Sequence, residues 1–197
     1  KLLVILFSLG ILILTYIRKG DMFMRIDGRN TNDLRKTTIE TNTIEFCDGS
    51  AIISTGSTKV LCTASIDENV PPFLMGQNKG WITAEYSMLP GSTRPRSSRE
   101  NQRKGRSQEI QRLIGRSLRA AIDLSLIGER TITVDCDVMQ ADGGTRTAAI
   151  TGGYVALRIA LNNLIKQGSI TNDIPPANIA ATSVGILNGS ILLDLCY

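Results

Sequence analysis

The sequence of 197 residues contains no histidine. This absence excludes catalytic triads that use histidine, imidazole metal ligands and the usual side-chain proton shuttle at neutral pH. Cysteine is scarce and scattered, and no two cysteines form a CxxC pair of the kind found in zinc sites and redox motifs. We therefore expect small buried thiols in a reducing cytosol at Cys47, Cys62, Cys136 and Cys196.

A large excess of one charge is also missing. Lys and Arg number 22 against 18 Asp and Glu, which gives a formal net charge of +4. This mildly basic balance does not by itself indicate a nucleic-acid partner, so the distribution of the charges along the chain must decide. The length is that of one domain with a sizeable core.

One long hydrophobic run is present at residues 2–17, and its sixteen residues are close to the lower limit of roughly 17 for a membrane span. We interpret residues 1–23 as a leader outside the folded domain: an upstream extension or fragment artefact, a membrane anchor or an uncleaved signal sequence. A start codon would fit at Met24. We therefore predict one domain over residues 24–197 in the cytoplasm, with tethering to a membrane through residues 2–17 as the alternative.

The remaining chain alternates between strand-like and helix-like patterns. Apolar residues at helical spacing predict two helices, over residues 107–124 and 147–168. Alternating runs and turn signals predict the strands. These strand segments are a β-meander over 37–66, single strands over 81–88 and 130–140, and a hairpin of 179–187 with 190–197. This order predicts an α+β domain in which helices pack on mixed β-sheets.

A glycine-rich junction lies between the predicted strand 130–140 and the second helix. It reads Asp142-Gly143-Gly144-Thr145-Arg146-Thr147. Two glycines allow close approach of a ligand to the backbone, the first N–H groups of a helix lack partners, and Arg146 adds a cationic fork. These features point to a phosphate site. The alternative is an ordinary tight turn in which a threonine caps the helix.

A basic segment runs from Thr93 to Arg106 and contains six Lys or Arg and one acid. It contains no residue able to build a core, so we predict a loop. The loop is either a solvated surface segment or a binding segment for an anionic polymer. Further along, Arg112, Arg116 and Arg119 recur at helical spacing. They either form a solvated or interface face of the helix or contact RNA.

Four segments of the chain closely resemble the ribonuclease PH family. They are "MRIDGRN" from Met24, "RSQEIQRLIGRSLRAAIDL", "ITVDCDVMQADGGTRTAAITGG" and "LLDLCY", in the order and at about the spacing of the family. The resemblance implies a ribonuclease PH-type domain with a ribosomal-protein-like β-α fold. It also implies a phosphate-dependent 3′-to-5′ exoribonuclease that trims transfer RNA precursors, and possibly ribosomal RNA, and releases nucleoside diphosphates. The alternative is a catalytically inactive RNA- and phosphate-binding remnant of that enzyme.

The resemblance also implies site residues and partners. Phosphate, the co-substrate, would be bound by Arg106, Gly144, Thr145 and Arg146, and RNA by Arg94, Arg96, Arg99 and Arg103. Family members form rings, commonly a hexamer built as a trimer of dimers, and use Mg²⁺ or a similar divalent cation.

The family's aspartates for that cation and for proton transfer are expected beyond Tyr197, so the domain is expected to be incomplete at its C-terminal end. No catalytic or metal-binding residue is assigned within the chain. We expect the isolated chain to bind phosphate or RNA weakly and to release nucleoside diphosphate at a rate near background. Asp194 matches another aspartate of the family. For Asp135, Asp137 and Asp142 we favour strand-end polarity and turn capping.

Overall fold

The computed structural model describes residue 25 and residues 27–99, 105–171 and 178–197, together with the backbone of residues 2–7. Its strands are β1 Leu2–Phe7, β2 Thr37–Thr41, β3 Gly49–Thr55, β4 Thr58–Asp67, β5 Trp81–Met88, β6 Thr131–Gln140, β7 Asn178–Leu187 and β8 Ser190–Leu193. Its helices are α1 Gly105–Ala121 and α2 Thr145–Lys166, with short 3-10 helices at Pro72–Leu74 and Leu124–Ile127.

A mixed sheet of five strands forms the centre of the fold, in the order β2-β3-β4-β6-β5. Neighbours from β2 to β6 are antiparallel, and β5 is parallel to β6. A parallel pair needs a crossover connection, and α1 provides it between β5 and β6. The predicted α+β fold with helices on mixed sheets is confirmed.

Alternation along β6 explains which face of this sheet is covered. Ile132, Val134, Cys136 and Val138 are buried, whereas the intervening side chains are only half-buried. The buried face packs against α2, whose buried residues include the small Ala148, Ala149, Gly152 and Gly153. A Cβ atom added at Gly152 would lie 2.7 Å from Cγ2 of Ile53 and 2.9 Å from Sγ of Cys62. The small residues of α2 therefore allow the helix backbone to approach the sheet closely.

A second sheet of three strands has the order β1-β7-β8. β7 and β8 form the predicted hairpin around Asn188 and Gly189, which both have positive φ, and β1 runs parallel to β7. Most of the predicted leader falls outside the described residues. Within the described part of the chain, α2 is the one helix long and apolar enough to cross a membrane, and most of it is buried as a core helix.

Several boundaries differ from the prediction for local reasons. β2 ends at Thr41 because Asn42 has a φ of 56°, so the first strand of the meander is shorter than expected. α1 begins at Gly105, which places Arg106 in the helix and not in the basic loop. β8 ends at Leu193, because Asp194 has a φ of 50°.

The prediction that all four cysteines are buried is wrong for two of them. Cys62 and Cys136 are buried opposite each other on β4 and β6, but Cys47 and Cys196 are half-exposed, since neither lies within a strand. All four thiols are free.

Candidate functional site

The N-terminal ends of α1 and α2 lie side by side. Arg106 is an exposed residue in the first turn of α1, and Arg146 is the second residue of α2. An ion pair joins the two helices, because Nη1 of Arg146 lies 3.4 Å from Oε1 of Glu109 on α1. Two helix ends that carry partial positive charge thus meet beside two arginines.

Tyr86, near the end of β5, connects the predicted phosphate ligands. Its hydroxyl donates a hydrogen bond to Oγ1 of Thr145 at 2.9 Å. Burial raises the pKa of Tyr86, and the positive charges of Arg106 and Arg146 act against this rise. Arg106 lies three residues before Glu109 on the same face of α1, so the ion pair of Glu109 with Arg146 brings Arg106 and Arg146 to the same place as Thr145. Sequence analysis missed Tyr86, although a phenol at a buried position of an apolar strand face was a usable signal.

No side chain caps the start of α2. The N-cap residue is Gly144, in the left-handed region with a φ of 67°. Thr145 bonds to Tyr86, and Thr147 donates its hydroxyl hydrogen to the carbonyl of Gly144 at 2.8 Å. Neither threonine makes the cap that the tight-turn alternative required. Among the described residues, none accepts a hydrogen bond from the N–H groups of Gly143 or Gly144. Unpaired N–H groups at the start of a helix favour an anion.

The carbonyl groups of the same turn are all bound. Arg35 donates from Nη1 to the carbonyl of Asp142 and from Nη2 to that of Gly143. Thr58 donates to the carbonyl of Gly143 at 2.6 Å and accepts from the N–H of Asp142 at 2.9 Å. Sequence analysis found neither Arg35 nor Thr58, because each is more than 80 residues away from the turn along the chain.

Asp194 is a buried partner of arginines. Nη2 and Nε of Arg35 lie 2.6 and 3.0 Å from its two carboxylate oxygens, and Nη1 of Arg29 lies 3.3 Å from the second. Burial acts to raise the pKa of this carboxyl, but hydrogen bonds from Arg35 and the charges of Arg35 and Arg29 hold it below its ordinary value. Both oxygens of Asp194 are therefore occupied.

The described residues do not fit the divalent cation that the family resemblance implies. They contain no group of three or more acidic or cysteine side chains close enough to hold a metal ion. Asp194 is saturated by arginines, and Oδ1 of Asp142 accepts the N–H of Tyr197. Asp135 and Asp137 lie in the interior of β6, so strand-end polarity does not describe them.

The basic segment begins next to the phosphate turn. Arg94, Arg96 and Arg99 are exposed, whereas Arg103 lies outside the described residues. The N–H of Ala141, directly before the turn, bonds to the carbonyl of Ser92 at 2.9 Å. This contact fixes the start of the segment beside the anion site.

Arg119 does not belong to a solvated face of α1. Its guanidinium lies 4.3 Å from the centre of the Trp81 ring and donates to the carbonyl of Ile82 at 2.6 Å. Arg112 and Arg116 remain exposed on the helix.

Comparison with known proteins agrees with this geometry. Residues 33–161 match the 3′ exoribonuclease family, domain 1. The chain is 56% identical over 176 residues to ribonuclease PH of Crocosphaera subtropica, which covers 89% of this chain and 73% of the relative. These matches give no support to an inactive remnant.

Solved structures share the fold at lower identity. Rrp46 of rice (Oryza sativa) superposes with a TM-score of 0.66 at 22% identity, covering 87% of this chain and 73% of the other. The Archaeoglobus fulgidus exosome with RNA bound to its active site gives a TM-score of 0.69 at 21% identity, covering 88% of this chain and 71% of that one. With these folds and the 56% identity, the chain belongs to the ribonuclease PH family of phosphorolytic 3′-to-5′ exoribonucleases, which use inorganic phosphate as co-substrate.

Proposed function

We propose that this protein binds inorganic phosphate where α1 and α2 begin and uses it to shorten RNA from the 3′ end. The observation that carries the proposal is the uncapped start of α2: the N–H groups of Gly143 and Gly144 have no acceptor among the described residues, and the ion pair of Arg146 with Glu109 brings the start of α1, with Arg106, next to them. A phosphate oxygen would form a bond to the last phosphorus of the RNA while the bond from that phosphorus to the 3′ oxygen breaks. The proton of hydrogen phosphate ends on that 3′ oxygen, and a nucleoside diphosphate leaves.

The main obstacle to this reaction is repulsion between two anions, the phosphate and the RNA backbone. Arg106 and Arg146 stay charged and present planar donor forks that match phosphate oxygens. Gly144 and Thr145 contribute N–H groups at the positive end of α2. Fixed donors of this kind bring the reactants together and stabilise charge on the transferred phosphoryl group.

We also propose that the basic segment holds the RNA strand. Arg94, Arg96 and Arg99 are exposed beside the anion site, and Arg103 follows in sequence. Contacts from such side chains to backbone phosphates do not depend strongly on base sequence. The strand would then run along this segment with its 3′ end at the bound phosphate.

The finer features of the proposal come from the family resemblance. They are transfer RNA precursors, and possibly ribosomal RNA, as substrates, a homo-oligomeric ring built as a trimer of dimers, and a divalent cation such as Mg²⁺. The described residues offer no ligand set for that cation. For the location we propose the cytoplasm, which four free thiols support, with tethering through residues 2–17 as the alternative.

The test of the proposed function measures phosphate binding and product identity together. Arg146→Ala should weaken phosphate binding by about tenfold or more, since hydrogen bonds to charged groups contribute roughly 1.5–3 kcal/mol. Arg130→Ala, which removes an arginine paired with Glu68, serves as the control. Any nucleotide released from an RNA with a 3′ oligoadenylate tail should be ADP and should require phosphate. Release of AMP, or equal release without phosphate, would contradict phosphorolysis.

A further inference from the structure

A buried arginine lies behind the turn that carries the free N–H groups. The side chain of Arg35 is 7% exposed and that of its partner Asp194 is 5% exposed. The main-chain N–H of Arg35 also bonds to Asp194, at 2.8 Å. Three contacts to one carboxylate therefore fix both the backbone and the guanidinium of Arg35.

Two glycines leave the space that this arginine occupies. A Cβ atom added at Gly56 would lie 2.6 Å from Cδ of Arg35, and one added at Gly144 would lie 2.9 Å from its Nη2. Arg35 thus passes over the turn between β3 and β4 and ends directly against the N-cap of α2. The guanidinium reaches the phosphate turn from within the protein.

The direction of the carbonyl groups decides the direction of the N–H groups. In a planar trans peptide, the C=O and N–H bonds point in opposite directions. The carbonyls of Asp142 and Gly143 point to Arg35 and Thr58, so the N–H groups of Gly143 and Gly144 point away from Arg35. Glycine peptides rotate easily, and without these contacts the turn would have several orientations.

We propose that Arg35, held by Asp194, is a positioning residue of the phosphorolytic site. It binds the carbonyls of the turn Asp142-Gly143-Gly144 and thereby holds the N–H groups toward the phosphate. Thr58 assists from the β3–β4 hairpin. The inference rests on the proposed function, since it concerns the phosphate bound at this turn, and it gives Asp194 the role of fixing Arg35.

The experiment measures phosphate and RNA affinity of the ¹⁵N-labelled chain in parallel. Inorganic phosphate is titrated while the amide signals of Gly143 and Gly144 are followed, and binding of a fluorescent single-stranded RNA is measured by anisotropy. Arg35→Lys keeps the charge but cannot bind two carbonyls with a planar fork. We expect phosphate affinity to fall about tenfold or more, because small misplacements of binding groups cost up to ~10²-fold. RNA affinity should stay unchanged.

Arg119→Lys is the matched control. Arg119 is also a partly buried arginine that binds a backbone carbonyl, but at Ile82, away from the turn. This variant should keep the affinity for phosphate and the two glycine signals of the unmodified protein. An equal loss in both variants, or a parallel loss of phosphate and RNA binding in Arg35→Lys, would show a merely structural role and overturn the proposal.

A second variant covers the case in which Arg35→Lys does not fold. Thr58→Val has nearly the same shape and removes both the bond to the carbonyl of Gly143 and the acceptor of the Asp142 N–H, without changing a charge. It should also lower phosphate affinity, and wild-type affinity would overturn the proposal.

Arg146→Ala distinguishes a failure of the proposed function from a failure of the positioning role of Arg35. If it binds phosphate normally, the proposed function fails, whereas loss in Arg146→Ala with normal binding in Arg35→Lys defeats the positioning role alone.

Discussion

At the scale of single residues, Arg146 is paired with Glu109 at the place where we propose that phosphate binds. Its Nη1 lies 3.4 Å from the carboxylate of Glu109, and the two side chains are 36% and 64% exposed. An ion pair this exposed contributes little, in the range of about 0.2–1 kcal/mol. The same carboxylate also places a negative charge beside the proposed anion site. In the proposed site, Glu109 therefore competes with phosphate for the guanidinium of Arg146.

We predict that Glu109→Gln increases phosphate affinity. The expected increase is roughly twofold and at most about fivefold, which corresponds to the energy of an exposed ion pair. The measurement is calorimetric titration with phosphate at low and at moderate ionic strength, and the increase should shrink as salt rises. Glu68→Gln, which breaks the exposed pair with Arg130 on another part of the surface, should change nothing. Weaker binding in Glu109→Gln would instead mean that Glu109 orients Arg146.

At the scale of secondary-structure elements, the two helices contain glycines with opposite surroundings. A Cβ atom at Gly152 of α2 would meet side chains of the central sheet at 2.7 and 2.9 Å. A Cβ atom at Gly115 of α1 would meet only the end of the Arg119 side chain at 3.1 Å, and the next neighbour, the main-chain nitrogen of Ala84, is 3.7 Å away. The contact at Gly115 is relieved if Nη1 of Arg119, which donates to the carbonyl of Ile82, moves by a few tenths of an ångström, whereas the packed sheet beneath Gly152 would have to move much further.

The two alanine substitutions should therefore differ in sign. Alanine favours a helix interior over glycine by about 1 kcal/mol, and overpacking of a core costs typically about 1–3 kcal/mol. We expect Gly152→Ala to lower the free energy of unfolding and Gly115→Ala to leave it unchanged or raise it. Urea denaturation followed by circular dichroism measures both. Equal effects would show that the close approach of α2 to the sheet is not what requires glycine.

The face of the central sheet opposite α2 carries three acids. Glu85 on β5 is the register partner of Asp135 on β6, and Asp137 follows on the same face. Burial, the charge of Glu85 and that of Asp137 raise the pKa of Asp135. A carboxyl whose pKa is raised in the folded state favours folding when protonated. That contribution is lost as pH rises through the folded pKa.

We predict that Asp135→Asn stabilises the protein at pH 7. The gain should be modest, roughly 0.2–1 kcal/mol as for cross-strand charge pairs, and should vanish at low pH where Asp135 itself is protonated. Thermal unfolding of the unmodified protein and of Asp135→Asn, from low pH to pH 7, provides the measurement. Asp123→Asn is the control with the opposite sign, because hydrogen bonds from Ser125 lower the pKa of Asp123. A gain that persists at low pH would exclude charge as its cause.

At the scale of the whole molecule, the basic segment and the anion site lie at the same end of the central sheet. The segment follows β5, the phosphate turn follows β6, and these strands are parallel neighbours. Strand ends that point the same way bring both loops together, as the contact between Ala141 and Ser92 shows. The exposed arginines Arg94, Arg96 and Arg99 therefore lie at the same end of the central sheet as the proposed anion site.

Removal of these cations should change the salt dependence of RNA binding. Replacing Arg94, Arg96, Arg99 and Arg103 with Ala should weaken binding to every sequence and flatten the plot of log K against log salt by up to about 0.7 per lost contact. Fluorescence anisotropy with several oligonucleotides measures this slope. The control replaces Lys79 and Arg130, at the opposite end of the sheet, and should leave the slope intact. A loss confined to one RNA sequence would contradict backbone recognition.

The sequence by itself determined the elements, the family and one half of the site. Alternating apolar residues placed β5 at Trp81–Met88, and periodicity placed α2 within two residues of its observed bounds, because both signals are local. The Gly143-Gly144 junction and Arg146 predicted an anion site for the same reason. Family motifs then supplied the reaction, since they occur in order along the chain.

Only the tertiary structure decided what holds that site in place. Arg35 and Thr58 bind the turn from more than 80 residues away, Asp194 holds Arg35 from beyond the turn, and no local pattern relates these three residues to it. The same holds for Tyr86, which a strand end brings to Thr145, and for Arg119, which faces Trp81 instead of solvent. Secondary structure follows from neighbours in sequence, whereas the partners of a buried charge follow from how the sheet and helices pack.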